Sequence, residues 1–198
     1  MGTRCPRDDN NLLTRVEAGD PASATRCLPT TVLSMSSNLA FFAACFQNEV
    51  ASTAQLIRSL PTASLDYRAH PVNRSAREIV EHLLGHIVDL AVIARESRCD
   101  ETLVFPVTSS EEAASQFEQL SADVQSALAQ LTDAQWDNDP VELLIHGKSF
   151  LTIPRSNMMW FFFFDCIHHR GQLSTQVRPM GGKVPAIYGF SADTPAAG

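Results

Sequence analysis

The sequence predicts an all-α, up-and-down-type four-helix bundle with one long connection, on three observations. Apolar residues recur at steps of three and four along four separate stretches. Ser-x-x-Glu pairs, the signature of a capping box, stand before two of those stretches. One long interruption, with Pro140 and Pro154 bounding its apolar runs, separates the third stretch from the fourth. At 198 residues, 44% of them hydrophobic, the chain suits one domain whose core needs neither disulfides nor a structural metal.

Residues 1–34 carry Pro6, Asp8-Asp9-Asn10-Asn11, Gly19-Asp20-Pro21 and Pro29 without a sustained period. They are expected to form a disordered, mobile extension, with the folded domain spanning residues 35–198. Leu39, Phe42, Phe46, Val50, Thr53, Ile57 and Leu60 define the first helix, ending near Pro61. Ser75 and Glu78 cap the second, whose apolar stripe is Ile79, Leu83, Leu90 and Ile93 with His82 and His86 along it. Ser109 and Glu112 open the third, which Phe117, Leu120, Val124, Leu128 and Leu131 carry to about Gln135. Between Pro140 and Pro154, the runs 141–145 and 149–153 flank His146-Gly147-Lys148, as a short hairpin or an irregular loop. Pro154 suits the first turn of a fourth helix running through Met158, Trp160 and Phe161–Phe164 to near Pro179. Four consecutive phenylalanines cover its whole circumference, so one face meets the core and another is expected to meet a second subunit or a further chain segment. A homodimer is the expected assembly.

A net charge of −7 opposes capture by nucleic acid or an anionic membrane surface. The longest strongly apolar run, Met158–Phe164, is far short of the roughly 20 residues that span a bilayer. Arg4, Arg7 and Arg15 precede no continuous apolar segment, so no signal peptide is expected and the cytoplasm is the expected location. Cys5, Cys27, Cys45, Cys99 and Cys166 show no CxxC spacing, which indicates free thiols rather than a disulfide framework or a zinc knuckle.

The chemistry concentrates in Asp165-Cys166-Ile167-His168-His169-Arg170-Gly171-Gln172. Asp165 and His169 are i and i+4, so both leave one helix face a turn apart, on a stripe shared with Met158, Phe161, Gln172 and Gln176. Cys166 and His168 point elsewhere, about 100° away from their neighbours. A histidine from the second helix, His82 or His86, would complete a site of two imidazoles and one carboxylate, leaving metal positions open for water or substrate. From spacing alone, the alternative is a hydrogen-bonded polar pair in the core, or Asp165 paired with Arg170. His70 and His146 sit in expected loops beside Pro71 and Gly147.

Two segments resemble the DinB-like, or YfiT-like, superfamily of four-helix bundles. The longer is His168-His169-Arg170-Gly171-Gln172-Leu173 with the tail Arg178 to Gly189 and Ser191-Ala192-Asp193; the other is Tyr67-Arg68 and Arg74-Ser75 leading to Glu78-Ile79-Val80-Glu81-His82-Leu83. The resemblance spans residues 38–193. It implies a divalent metal held by one second-helix residue, His82, and by residues 165 and 169 of the last helix. Position 165 is Asp where histidine is commoner, which widens the implied metals to Zn, Ni, Mn or Fe. His86 becomes a nearby or supporting polar residue. Characterised members imply metal-dependent transfer or isomerisation of small electrophiles with a low-molecular-weight thiol as cofactor, an analogy at family level. Metal-assisted hydrolysis of a small-molecule substrate and a non-catalytic, dimeric, stress-responsive binding module are the alternatives. No role in catalysis falls to Arg170, Gln172 or Tyr188, and Arg170 and Tyr188 are expected to bind the segment after the last helix to the bundle.

Overall fold

Ser37 begins the first helix by accepting a hydrogen bond from the Ala40 amide, satisfying one of the free N–H groups at the helix start. The computed structural model describes residues 36–194. The expected extension, residues 1–34, lies outside the described residues. Helix α1 is Asn38–Arg58 and buries Phe42, Phe46, Ala54, Leu56 and Ile57. Helix α2, Ala76–Arg95, starts at the full capping box that Ser75 and Glu78 predict. Helix α3 is Ser110–Leu128, capped by Ser109 through the Glu112 amide.

The third helix stops earlier than its apolar period suggests, and Gln135 belongs to a separate short helix, α4, Asp133–Asn138. The physical reason is a second capping box, Thr132 with Gln135, which restarts the helix in a new direction. That turn buries Trp136 completely against Phe42, their ring centroids 4.9 Å apart.

The region before the last helix is a hairpin: strand β2, Pro140–Ile145, pairs antiparallel with β3, Lys148–Pro154. His146 and Gly147 form its tip at φ 52° and 72°, the positive values a two-residue turn of type I′ requires. A short strand, β1, Arg98–Asp100, pairs parallel with β2 and makes the sheet three-stranded in the order β1-β2-β3. This sheet is an addition to the all-α pattern. Its strand β1 buries only Cys99 and is held by a partner some forty residues on, so it leaves no periodic signal of its own.

Helix α5, Arg155–Gln176, follows directly, with Pro154 as its N-cap residue rather than in its first turn. Phe162 and Phe163 are buried, whereas Phe161 and Phe164 are 51% and 61% exposed. The helices pack as α1 on α3 and α5, and α2 on α3 and α5, so α1 and α2 occupy opposite corners of the bundle. The α2–α5 pair carries the chemistry, and one end of it is clamped. The buried Arg155 guanidinium donates to the carbonyl oxygens of Ile93 and, at 3.0 Å, Glu96, satisfying the free carbonyl end of α2 from the first residue of α5. Near the end of α5, Arg170 hydrogen bonds Tyr188 and Glu49, and the Tyr188 hydroxyl donates to Glu49 at 2.9 Å, tying the tail to α1.

Candidate metal centre

Helices α2 and α5 each contribute an i, i+4 pair to one cluster: His82 and His86 from α2, Asp165 and His169 from α5. One nitrogen or oxygen atom from each lies within 4.8 Å of all the others. The structure therefore brings together His82, Asp165 and His169, and places His86 closer to Asp165 than either of the other imidazoles. His86 Nε2 is 2.7 Å from Asp165 Oδ2, His169 Nε2 is 3.2 Å and His82 Nε2 is 3.9 Å. His168 stays outside the cluster, and His70 and His146 lie in the turns before α2 and in the hairpin.

The tautomer of His169 is decided by Gln172. The Gln172 Oε1 carbonyl accepts a hydrogen bond from His169 Nδ1–H at 2.9 Å, while the Gln172 amide donates to His168 Nε2 at 2.9 Å. In neutral His169 the bare lone pair then lies on Nε2, facing a carboxylate oxygen. Two acceptors at this separation repel unless a proton or a metal cation lies between them. The outer hydrogen bond that leaves Nε2 free is also the arrangement in which histidine binds metals.

His86 shows the same demand for positive charge. Burial opposes its protonation, but the hydrogen bond to Asp165 and the carboxylate of Asp89, 3.8 Å from Nδ1, outweigh burial and raise its pKa to about 9. His86 Nδ1 is buried and has no hydrogen-bond partner. His169 and His86 hold the Asp165 carboxyl well below the usual carboxylate range when each presents a proton to it, and on the His169 side that again calls for a proton or a cation between the two atoms. Burial pushes His82 the other way, to about 3, reinforced by His86, Arg74 and His169. The metal-free cluster is a carboxylate with one imidazolium beside it and a neutral His82, a set of three nitrogens and one oxygen suited to borderline divalent ions.

Asp89 was not apparent as a site residue in the sequence, although it stands three residues after His86 on the buried side of α2. Its two carboxylate oxygens accept the Thr102 amide at 3.0 and 3.1 Å, which fixes it behind His86. Gly85 makes this possible: a Cβ there would lie 2.4 Å from the Thr102 carbonyl oxygen, so a side chain would push the segment away.

Two clefts of opposite chemistry adjoin the cluster. One of about 340 Å³ opens on His169 and is lined by polar side chains. The other, of about 210 Å³, touches His86 and Asp165 and is walled by Leu143, Ile145, Phe150 and Phe161. The hairpin is thus part of the site's surroundings.

Fold and cluster together define a helical bundle with a candidate metal centre between two facing helices. The sequence matches the DinB family over residues 35–196, and the chain belongs to that family. A DinB-like protein from Bacillus cereus, 23% identical, superposes with a TM-score of 0.60 over 74% of this chain and 95% of that one. One from Bacillus subtilis, 19% identical, gives 0.57 over 72% and 94%. At these identities the likeness shows the fold. A mycothiol-dependent maleylpyruvate isomerase is more distant, with a TM-score of 0.46 and 11% identity over 81% of this chain and 68% of that one, and supports no argument about function. No curated protein matches the sequence. Among the described residues, no helix is long and apolar enough to cross a membrane.

Proposed function

We propose that this protein holds a divalent metal on His82, Asp165 and His169, with His86 against Asp165, and uses it in thiol-dependent transfer or isomerisation of small electrophiles. The observation that carries the metal is the His169 lone pair facing Asp165, with His86 bearing the proton that offsets the charge in the metal's absence. Bound there, such an ion would lower the pKa of a coordinated thiol so that thiolate is present at neutral pH.

We take the thiol to come from outside, because the two buried cysteines of the described residues are poor sources of thiolate. Burial pushes Cys99 up to about 12 and raises Cys166 strongly, so neither supplies a thiolate. The family's characterised thiol-dependent members favour a low-molecular-weight thiol, and the two clefts that adjoin the cluster, one at His169 and one at His86 and Asp165, suit a reaction that joins a polar partner to an apolar one. In this reading Asp165 and His86 also manage a proton. His86 donates to Asp165, and it would give that proton up to solvent where a metal occupied the carboxylate.

Titrating cobalt-loaded protein with small thiols tests the reading. A sulfur-to-metal charge-transfer band that saturates with thiol, and turnover of a nitroaromatic electrophile only in its presence, are expected. Turnover without thiol would instead indicate metal-assisted hydrolysis.

The same reading takes the aromatic strip on α1 and α5 as the face for a second copy of the chain. Phe41 is 56% exposed and Phe164 61%, with Trp160 between them at centroid distances of 6.2 and 5.4 Å. Phe164→Asp is expected to turn a dimer into a monomer in sedimentation velocity while leaving the helical circular dichroism unchanged. A wild-type monomer at micromolar concentration would rule the dimer out.

A further inference from the structure

The polar cleft beside His169 is formed by the start of α2 and the last turns of α5, with Asn73, Arg74, Gln172, Thr175 and Gln176 among its walls. No carboxylate lines it, in a chain with 22 acidic residues against 15 basic ones. The arginines around it are otherwise committed. Arg68 pairs with Glu78 at 2.6 Å and Arg77 with Asp66 at 2.8 Å, whereas Arg74 makes no hydrogen bond or ion pair with any described residue.

Gln176 provides a second, independent observation. It is 4% exposed, it lines the cleft, and its Oε1 is buried without a hydrogen-bond partner. An unsatisfied buried acceptor carries a desolvation penalty that a ligand's N–H or O–H would remove.

We propose that this cleft is a carboxylate subsite. Arg74 takes the carboxylate through its planar pair of donors, and Gln176 takes an N–H or O–H donor carried beside it. The ligand class is then an amino-acid-like or peptide-like thiol with a free carboxylate, its sulfur directed to the centre at His169. Only the thiol part rests on the function proposed above; the carboxylate subsite stands on Arg74 and Gln176 with or without a metal.

The test uses two pairs of probes that differ only in charge. With zinc-loaded protein, 3-mercaptopropionate is expected to bind at least about tenfold more tightly than 3-mercaptopropanamide, the size of one charge-assisted contact. In Arg74→Gln the two should bind alike, with affinity for the amide unchanged. With metal-free protein, propionate should shift the amide resonances of Asn73, Arg74, Thr175 and Gln176, and propionamide should not; Arg74→Gln should abolish the shifts. Equal binding of acid and amide by the wild type, or a preference that survives in Arg74→Gln, would overturn the subsite. Failure of the protein to take up zinc would count against the metal reading alone, and the propionate shifts would still decide the subsite.

Discussion

Asp165→Ala is expected to strip the protein of bound metal. The carboxylate is the only anionic donor of the cluster and the atom toward which all three imidazoles point, at 2.7, 3.2 and 3.9 Å. Without it a dication would face three neutral imidazoles and, beside Nδ1 of His86, the Asp89 carboxylate. Loss of an outer partner of a metal ligand costs about 10–100-fold in affinity, so loss of the central carboxylate should cost more than that. Asp165→His is the informative companion, because it keeps a metal-binding donor at a position already one turn from His169. It should retain metal. It should also lower the pKa of His86, since the carboxylate that outweighs burial is gone. Competition against a chromophoric chelator measures the first effect and imidazole proton resonances the second. Wild-type affinity in Asp165→Ala would remove this residue from the ligand set.

The second large effect is on pH. His86 titrates near 9 in the metal-free protein, and a cation entering beside Asp165 must displace its proton. Metal affinity should therefore fall by about tenfold for each unit that pH drops below 9, down to the pH at which the metal-bound form itself takes up the proton.

The stability of the metal-free protein runs the other way. His86, raised from 6.5 to about 9, contributes stability that is fully present below 6.5 and lost as pH rises through about 9. Asp165, lowered, contributes stability present above the usual carboxylate pKa and lost as pH falls. His82, lowered from 6.5 to about 3, subtracts stability as pH falls below 6.5, because the unfolded chain then binds the proton more readily. These signs place the best stability of the metal-free cluster near pH 6.5. The rise in Tm on adding zinc should be small there and grow towards pH 9. His86→Gln should flatten that growth. A zinc-induced shift independent of pH would show that no proton leaves with metal entry.

Much of this was legible in the chain because it is local. The periods of α1, α2 and α5, the caps at Ser75 and Ser109, and the i, i+4 spacing of Asp165 and His169 each depend on residues within a few turns. The end of α3 was misread because the apolar period continues through Leu131, and only the Thr132–Gln135 capping box marks the restart. Strand β1 left no signal, since its partner β2 lies far along the chain.

The position of His86 shows the same limit. Spacing put both His82 and His86 on the core side of α2, but how near each comes to Asp165 depends on the rotation and axial position of α2 against α5. Those are fixed by tertiary contacts: the Arg155 clamp on the end of α2 and the close approach of Thr102 at Gly85. Neither contact has a sequence period.

Whether this cluster binds a metal is decided by the metal content of the purified, tag-free protein. Plasma mass spectrometry of the wild type, with His82→Ala, Asp165→Ala and His169→Ala alongside, should find one divalent ion per chain in the wild type and a loss in each variant. A wild type that carries no metal, even after reconstitution with zinc, nickel, manganese and iron(II), and whose Tm none of them changes, would contradict metal binding by the cluster.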